Sequence, residues 1–287
     1  MNVSRMTRRI AVSGVATAIA AGALVGASST AANAAFEATS TYTCNVGGNS
    51  VPMSLTASVP LLPPTANAGT LIPANLLDVS TVLTIPATVA GQLGTAGVTG
   101  GSVQDFGMLV GDTLAPAPLT NVAFGAPNLD GSVPATASAK NAQFVLPSAG
   151  TYDITLPKAF TFTPMTAAGP LPFTVPCATD APAKLSSVVL AKNGSTTDAT
   201  APAQIRKGTV AKVTSVVSSI NDGTPAPTGK IVAKLGTKTV GTGTVKAGKA
   251  VMKIAKLPVG KDKLKIKYLG DAYTAPSGDS LVVKVVR

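Results

Sequence analysis

Histidine and tryptophan are absent from the 287 residues, cysteine occurs twice, and aromatic residues make up only 4%. Without histidine the chain lacks the side chain best suited to proton transfer near neutral pH and the commonest metal ligand. Ser-His-Asp and Cys-His catalytic sets are thereby excluded. The two cysteines, Cys44 and Cys177, are too far apart in sequence for a C-x-x-C redox or zinc motif. No G-x-S-x-G, Ser-x-x-Lys, P-loop or dinucleotide fingerprint occurs, and Gly241-Thr242-Gly243 reads as a strand-edge turn. Acids are few. Asp78, Asp105, Asp112, Asp130 and Asp153 are scattered, and Asp112 and Asp130 adjoin glycine as turn residues do. A glycosidase-type carboxylate pair is the one arrangement that pattern leaves open. Asp271 and Asp279 with Asn221 and Asp222 form no D-x-D-x-D cluster, and calcium needs six to eight oxygens, so turn capping is the better reading. The expectation is a chain that is not an enzyme, with no cofactor and no metal site.

What is present is a hydrophobic share of 45%, dominated by Ala and Val, together with 28 Gly and 22 Pro. A core of small and β-branched side chains follows. Charge is divided unevenly along the chain. Residues 35–180 hold two Lys against seven acids, whereas residues 181–287 hold sixteen Lys and two Arg against five Asp. Such asymmetry points to two domains.

The N-terminus has the form of a signal peptide. Arg5, Arg8 and Arg9 precede an apolar stretch from Ile10 to Gly26, and Ala32-Asn33-Ala34 is an A-x-A cleavage site that starts the mature chain at Ala35. The alternative is an uncleaved anchor, but the stretch falls short of the roughly 20 apolar residues that span a bilayer. No second hydrophobic helix follows, so the expected location is extracellular, with any hold on the cell wall non-covalent. In an exported chain two cysteines most simply pair. A Cys44–Cys177 bond ties the start of the first unit to its end; free thiols or an intermolecular bond are the alternatives.

Sixteen of the 22 prolines fall in residues 35–180. Proline ends helices and breaks central strands, so this acidic unit is expected to consist of short strands between turns, among them 54–59, 79–85, 142–146, 152–156 and 159–163. No helical apolar spacing is evident beyond the leader. Residues 178–183, with Pro182, read as a mobile linker. The second unit, 184–287, divides into seven strands at 185–190, 210–218, 229–235, 238–245, 250–257, 263–268 and 281–286. Seven short strands in about a hundred residues fit an immunoglobulin-like sandwich. The fold class is therefore all-β, with two β-sandwich domains.

Several motifs of the second unit occur in a familiar order. They are Gly223-Thr224-Pro225, Thr228-Gly229-Lys230-Ile231, Ala247-Gly248-Lys249-Ala250, Leu257-Pro258-Val259-Gly260 and Tyr268-Leu269-Gly270-Asp271-Ala272-Tyr273 with Ser277. Together they resemble the bacterial immunoglobulin-like repeat of group 3 type. Two departures stand out: lysine is abundant, and Tyr273 comes one position early. The resemblance implies a fold and an extracellular setting, as a spacer or adhesive module, and implies no catalytic site. The first unit, with Tyr42-Thr43-Cys44 and the late Cys177, is similar to an uncharacterised domain of secreted actinobacterial proteins.

The sharpest functional signal is the lysine pattern. Lys263, Lys265 and Lys267 alternate with Leu264, Ile266 and Tyr268; Lys230 and Lys234 alternate with Ile231, Ala233 and Leu235; Lys284 stands among Leu281, Val283 and Val285. Period two puts the lysines on one face and the aliphatics on the other. Immunoglobulin-like topology places these three strands in one sheet with 263–268 between the others. Six lysines are then expected on one outer face. Such a face either serves solubility and edge protection or attracts an anionic cell-wall polymer, acidic polysaccharide, lipid headgroup or extracellular DNA. Aromatics for base or sugar stacking are missing from it, so no specific nucleic-acid readout is expected. The leading expectation is a secreted surface or matrix protein held electrostatically at an anionic envelope. The alternatives are glycan or protein adhesion through the first domain, or a structural spacer without a ligand.

Overall fold

The computed structural model describes residues 36–287; the leader and its cleavage residues Ala32, Ala34 and Ala35 lie outside the described residues. The described chain is all-β with sandwich-like sheets and one short helix. It opens with a long hairpin, Phe36–Val46 and Asn49–Val59, in register from Phe36↔Val59 to Val46↔Asn49. Alternation is strict: Ala38, Ser40, Tyr42, Cys44 and Val46 are buried, and the residues between them face out. From this hairpin a nine-stranded sheet grows. One side adds Val175–Ala178, Ala159–Thr166 and Gly169–Pro170; the other adds Asp78–Ile85, Val133–Lys140, Leu119–Phe124 and Val98–Val103. Thr163–Thr166 then pairs with the strand Val98–Val103, so the sheet curls until its two halves face each other across the core. The interior is filled, with voids of only about 10 Å³ between residues such as Leu83, Phe160 and Phe162. Tyr42 meets Phe160 edge-to-face at 4.9 Å and donates its hydroxyl to the Pro157 carbonyl at 2.6 Å; burial pushes its phenol far above the usual range.

Cys44 and Cys177 are directly opposed on neighbouring strands and form a disulfide, Cα to Cα 4.0 Å. The helix Ala87–Thr95 was not foreseen. Its only buried residues are Val89 and Leu93, one turn apart, and Gly91 and Gly94 lower its helical preference. Packing of those two side chains against the core, not local propensity, sustains it.

The strand expected to open the second unit belongs elsewhere. Lys184–Ala191 pairs with Gly150–Thr155 and with Thr65–Asn67, and Leu185, Val188 and Leu190 join the first core. Residues 178–183 are accordingly no mobile tether. Ser40 Oγ donates to the Ala181 carbonyl and accepts the Ala183 N–H, and Leu156 N–H donates to the Ala183 carbonyl. The boundary drawn at 181–183 therefore shifts to residues 192–194. Pattern failed here because an amphipathic strand looks the same whichever core it covers.

The C-terminal sandwich has two sheets. Ser195–Thr200, Ala211–Ser219 and Lys249–Ile254 form one; Gln204–Arg206, Ser277–Val286, Gly260–Tyr268, Gly229–Leu235 and Lys238–Val245 form the other, in that order. Between them lie Val213, Val217, Ile231, Met252, Ile254, Leu264, Ile266, Tyr268 and Val283. Ser195–Thr200 and Gln204–Arg206 stand where 185–190 was expected. They escaped notice because Ala199 is the one fully buried residue of the first and none of the second is.

Between the two cores the chain passes through Asn193, which is 1% exposed. Its N–H donates to the Tyr273 carbonyl at 2.8 Å and its carbonyl accepts the Ala275 N–H at 2.7 Å. Its side-chain amide donates to the Ala68 carbonyl at 2.6 Å and to Tyr273 at 3.2 Å, and accepts from Asn221 at 2.8 Å. Ala149 N–H adds a bond to the Ala272 carbonyl at 3.0 Å. Gly69, at φ 68°, completes the contact: a Cβ there would lie 2.6 Å from Pro225 and 2.9 Å from Tyr273. The described residues, 36–287, fall within one compact unit.

Candidate functional site

The site is the outer face of the five-stranded sheet, and backbone register builds it. In Gly260–Tyr268, Leu264, Ile266 and Tyr268 are buried while Lys261, Lys263, Lys265 and Lys267 face out. Residues paired across strands share a face. Lys234 lies opposite Lys265, and Val232 opposite Lys267. Lys284 lies opposite Lys261, Val282 opposite Lys263, Ser280 opposite Lys265 and Gly278 opposite Lys267. Lys230 shares the side of Val232 and Lys234, two and four residues along the same strand.

All six lysines singled out from the sequence, Lys230, Lys234, Lys263, Lys265, Lys267 and Lys284, thus share one face. Lys261 makes a seventh. Reading the strand from 263 missed it, because Gly260-Lys261-Asp262 resembles a turn and Asp262 interrupts the apolar alternation. Asp262 instead occupies an inward position at 7% exposure. Arg206 joins the face at its edge: it pairs in parallel with Val286, and its neighbour Ile205 turns to the core. That strand was not foreseen, and neither was its arginine.

Among the described residues no ion pair engages these cations. Among the described residues the ion pairs are Lys140–Asp78 and Lys184–Asp153, both in the first domain. Asp262, between Lys261 and Lys263, points inward; Asp279 has the buried Ile266 as its register partner, and its oxygens accept the Ala199 N–H at 2.9 Å and the Ser280 N–H at 2.7 Å. Beside the lysine column the absent side chain of Gly278 and the short Ser280 leave a shallow open depression. Its lining includes Lys263, Lys265, Lys267, Pro276 and Ser277, and one acid, Asp279. The opposite sheet is less one-sided, with Lys212, Lys249 and Lys253 interspersed with Val216, Val251 and Asp198.

The turn after the lysine strand is fixed by Asp271. Its carboxylate accepts from Thr228 N at 2.7 Å, Thr228 Oγ1 at 2.9 Å, Tyr273 N at 2.8 Å and Thr274 N at 2.7 Å. Partial burial pulls its pKa upward, but these bonds outweigh that and hold it below the usual carboxylate value. Gly270 sits at φ 82°, where a Cβ would meet the Thr274 carbonyl at 2.8 Å. The aspartate is therefore a backbone clamp.

Residues 196–286 match the bacterial Ig-like domain (group 3). The Asp271 clamp and the lysine face both lie inside that stretch. No curated protein matches the chain. Among solved structures, one from Corynebacterium diphtheriae, provisionally called a membrane anchored protein, is similar at 15% identity with a TM-score of 0.39. The match covers 87% of this chain and 59% of that one, so the chain spans less than two thirds of that protein's length. Among the described residues no helix is long and apolar enough to cross a membrane, and no three metal-binding side chains gather.

Proposed function

We propose that this is a secreted, non-catalytic surface or matrix protein whose bacterial Ig-like domain holds an anionic envelope polymer electrostatically. One observation carries the reading: seven lysines share a sheet face without a carboxylate partner. Like charges directly opposite across a sheet destabilise it. The pairs Lys234–Lys265 and Lys261–Lys284 are such arrangements, and an anionic partner removes their repulsion. Seven of the eight cations are lysines, whose point charges attract an anion without the fork of arginine, so binding falls steeply with salt. The test is retention of the full mature chain on purified cell walls across a salt series. Release by salt, and loss of retention when Lys263, Lys265 and Lys267 are all changed to Gln, is the expected result. Retention indifferent to both sinks the reading.

A second reading, adhesion through the first domain, is favoured by Leu129. It is fully exposed at the tip of a turn in which Asp130 accepts from Ser132 N at 2.9 Å and Ser132 Oγ at 2.6 Å. A rigid apolar tip suits a protein contact. Leu129→Ser in the full chain should abolish adhesion to a protein-coated surface if this reading is right, and leave adhesion intact if the lysine face is responsible.

A further inference from the structure

The depression beside the lysine column carries the reading further. We infer that the face holds a single linear polyanion along one track, over Gly278 and Ser280 and against Lys263, Lys265 and Lys267, instead of presenting seven equivalent charges. This deepens the electrostatic reading above and rests on it.

Three features define the track. Lys261, Lys263, Lys265 and Lys267 repeat every second residue of one strand, about 6.8 Å apart and about 20 Å in all. Along the Lys265–Lys267 half of that column the neighbouring strand supplies no long side chain, since Gly278 and Ser280 face Lys267 and Lys265. The result is a one-sided trough floored by a hydroxyl and bare backbone, with Asp279 in its lining but its carboxylate engaged by the Ala199 and Ser280 N–H groups. Val282, opposite Lys263 and more than half exposed, ends that floor at one side. Lys230 and Lys234 lie on the far side of the column and Lys284 lies beyond Val282, so none of these three borders the trough.

The geometry selects a class of partner. A duplex places a charge every 1.7 Å along its axis, far denser than this column. A bilayer surface is flat and makes no use of a groove. Single-stranded nucleic acid needs aromatic platforms for its bases, and none stands here. What fits is an extended chain with one anionic group per repeat and no bulky substituent, such as a polyol phosphate or a uronate polymer.

The test uses the full mature protein with short poly(glycerol phosphate) and oligogalacturonate of equal charge, and phosphatidylglycerol vesicles as the flat surface. Single Lys→Gln changes at 263, 265 and 267 should each weaken binding of the matched polymer about fivefold, and those at 230, 234 and 284 less than twofold. Ser280→Phe, which fills the trough and keeps every charge, should weaken polymer binding about tenfold and leave vesicle binding unchanged. Equal loss at all six lysines with Ser280→Phe silent overturns the track and leaves the electrostatic face standing. No loss at any lysine overturns both. Stronger binding of one polymer identifies its anion as the partner chemistry.

Discussion

The two halves of this protein reach similar strand content by opposite means. The first closes a nine-stranded sheet on itself, packs Tyr42, Phe106, Phe160 and Phe162 inside, and carries the chain's one disulfide. It pairs two of its three lysines with aspartates. The second is smaller, its core is mostly aliphatic, it has no covalent bond across it, and it leaves a row of lysines unbalanced. Closing a sheet removes edges that could pair wrongly. An open sandwich keeps a flat exposed face. The first half is closed and cross-linked; the second keeps a face of lysines with no ion pair among the described residues.

The most direct way to break this contrast is to remove the cross-link. Cys44→Ala with Cys177→Ala frees a loop of 133 positions, and the chain-entropy model assigns about 4–5 kcal/mol to its closure. Denaturant unfolding should show the loss in the first domain, while hydrogen exchange at Ile231, Leu264 and Ile266 stays slow. Equal loosening of both cores would mean that they are a single cooperative unit.

Asn193 tests that coupling from the other side. Asn193→Ala leaves the buried Ala68 carbonyl and the Asn221 amide without their partner. One or two such groups cost about 2–3 kcal/mol. Calorimetry should then show the unfolding of the two cores shifted down and less coupled than in the native chain. An unshifted unfolding profile would show that the junction bonds contribute little.

Much of this contrast was readable beforehand. Period-two lysines at 263, 265 and 267, and the Tyr268-Leu269-Gly270-Asp271 turn, are local patterns with one physical reading, and the sheet order followed from the family's topology. What could not be read was non-local. Lys184–Ala191 alternates like any half-buried strand, and only the non-local partner strand Gly150–Thr155 decides which core it covers. The curled closure of the first sheet depends on Thr163–Thr166 finding the strand Val98–Val103, which no turn signal announces. Tyr273, one place early for the family pattern, proved to be a junction residue: its carbonyl receives two bonds from Asn193 and its ring packs near Gly69. A departure from a family motif was there the trace of a contact with the neighbouring domain.

Acid provides a finer separation. The depressed pKa of Asp271 means that its contribution is full above the unfolded carboxylate value of about 3.9 and is lost as pH falls through the lower folded value. Thermal unfolding followed at the second domain should therefore drop below about pH 4. Asp271→Asn should flatten that dependence, while lowering stability at pH 7 by about 1–2 kcal/mol through loss of charged hydrogen bonds. An unchanged acid slope in the variant would assign it to other carboxylates.

The smallest effect is the most telling, because its sign differs between stability and binding. Lys265 stands directly opposite Lys234. Lys265→Glu replaces a repulsive cross-strand pair with an attractive one, worth about 0.2–1 kcal/mol. The second domain should melt slightly higher, most clearly at low salt where surface charges are least screened. The same change removes one positive charge and adds a negative one on the proposed polymer track, where binding should fall tenfold or more at about 1 kcal/mol per charge. A face kept only for solubility gains nothing from excluding acids, since added Asp and Glu solubilise at least as well as Lys. A sheet that forgoes an easy stabilising pair at Lys234–Lys265, and again at Lys261–Lys284, is what the proposed polymer binding requires. Should Lys265→Glu leave polymer binding untouched, that argument fails and the lysines revert to solvated surface.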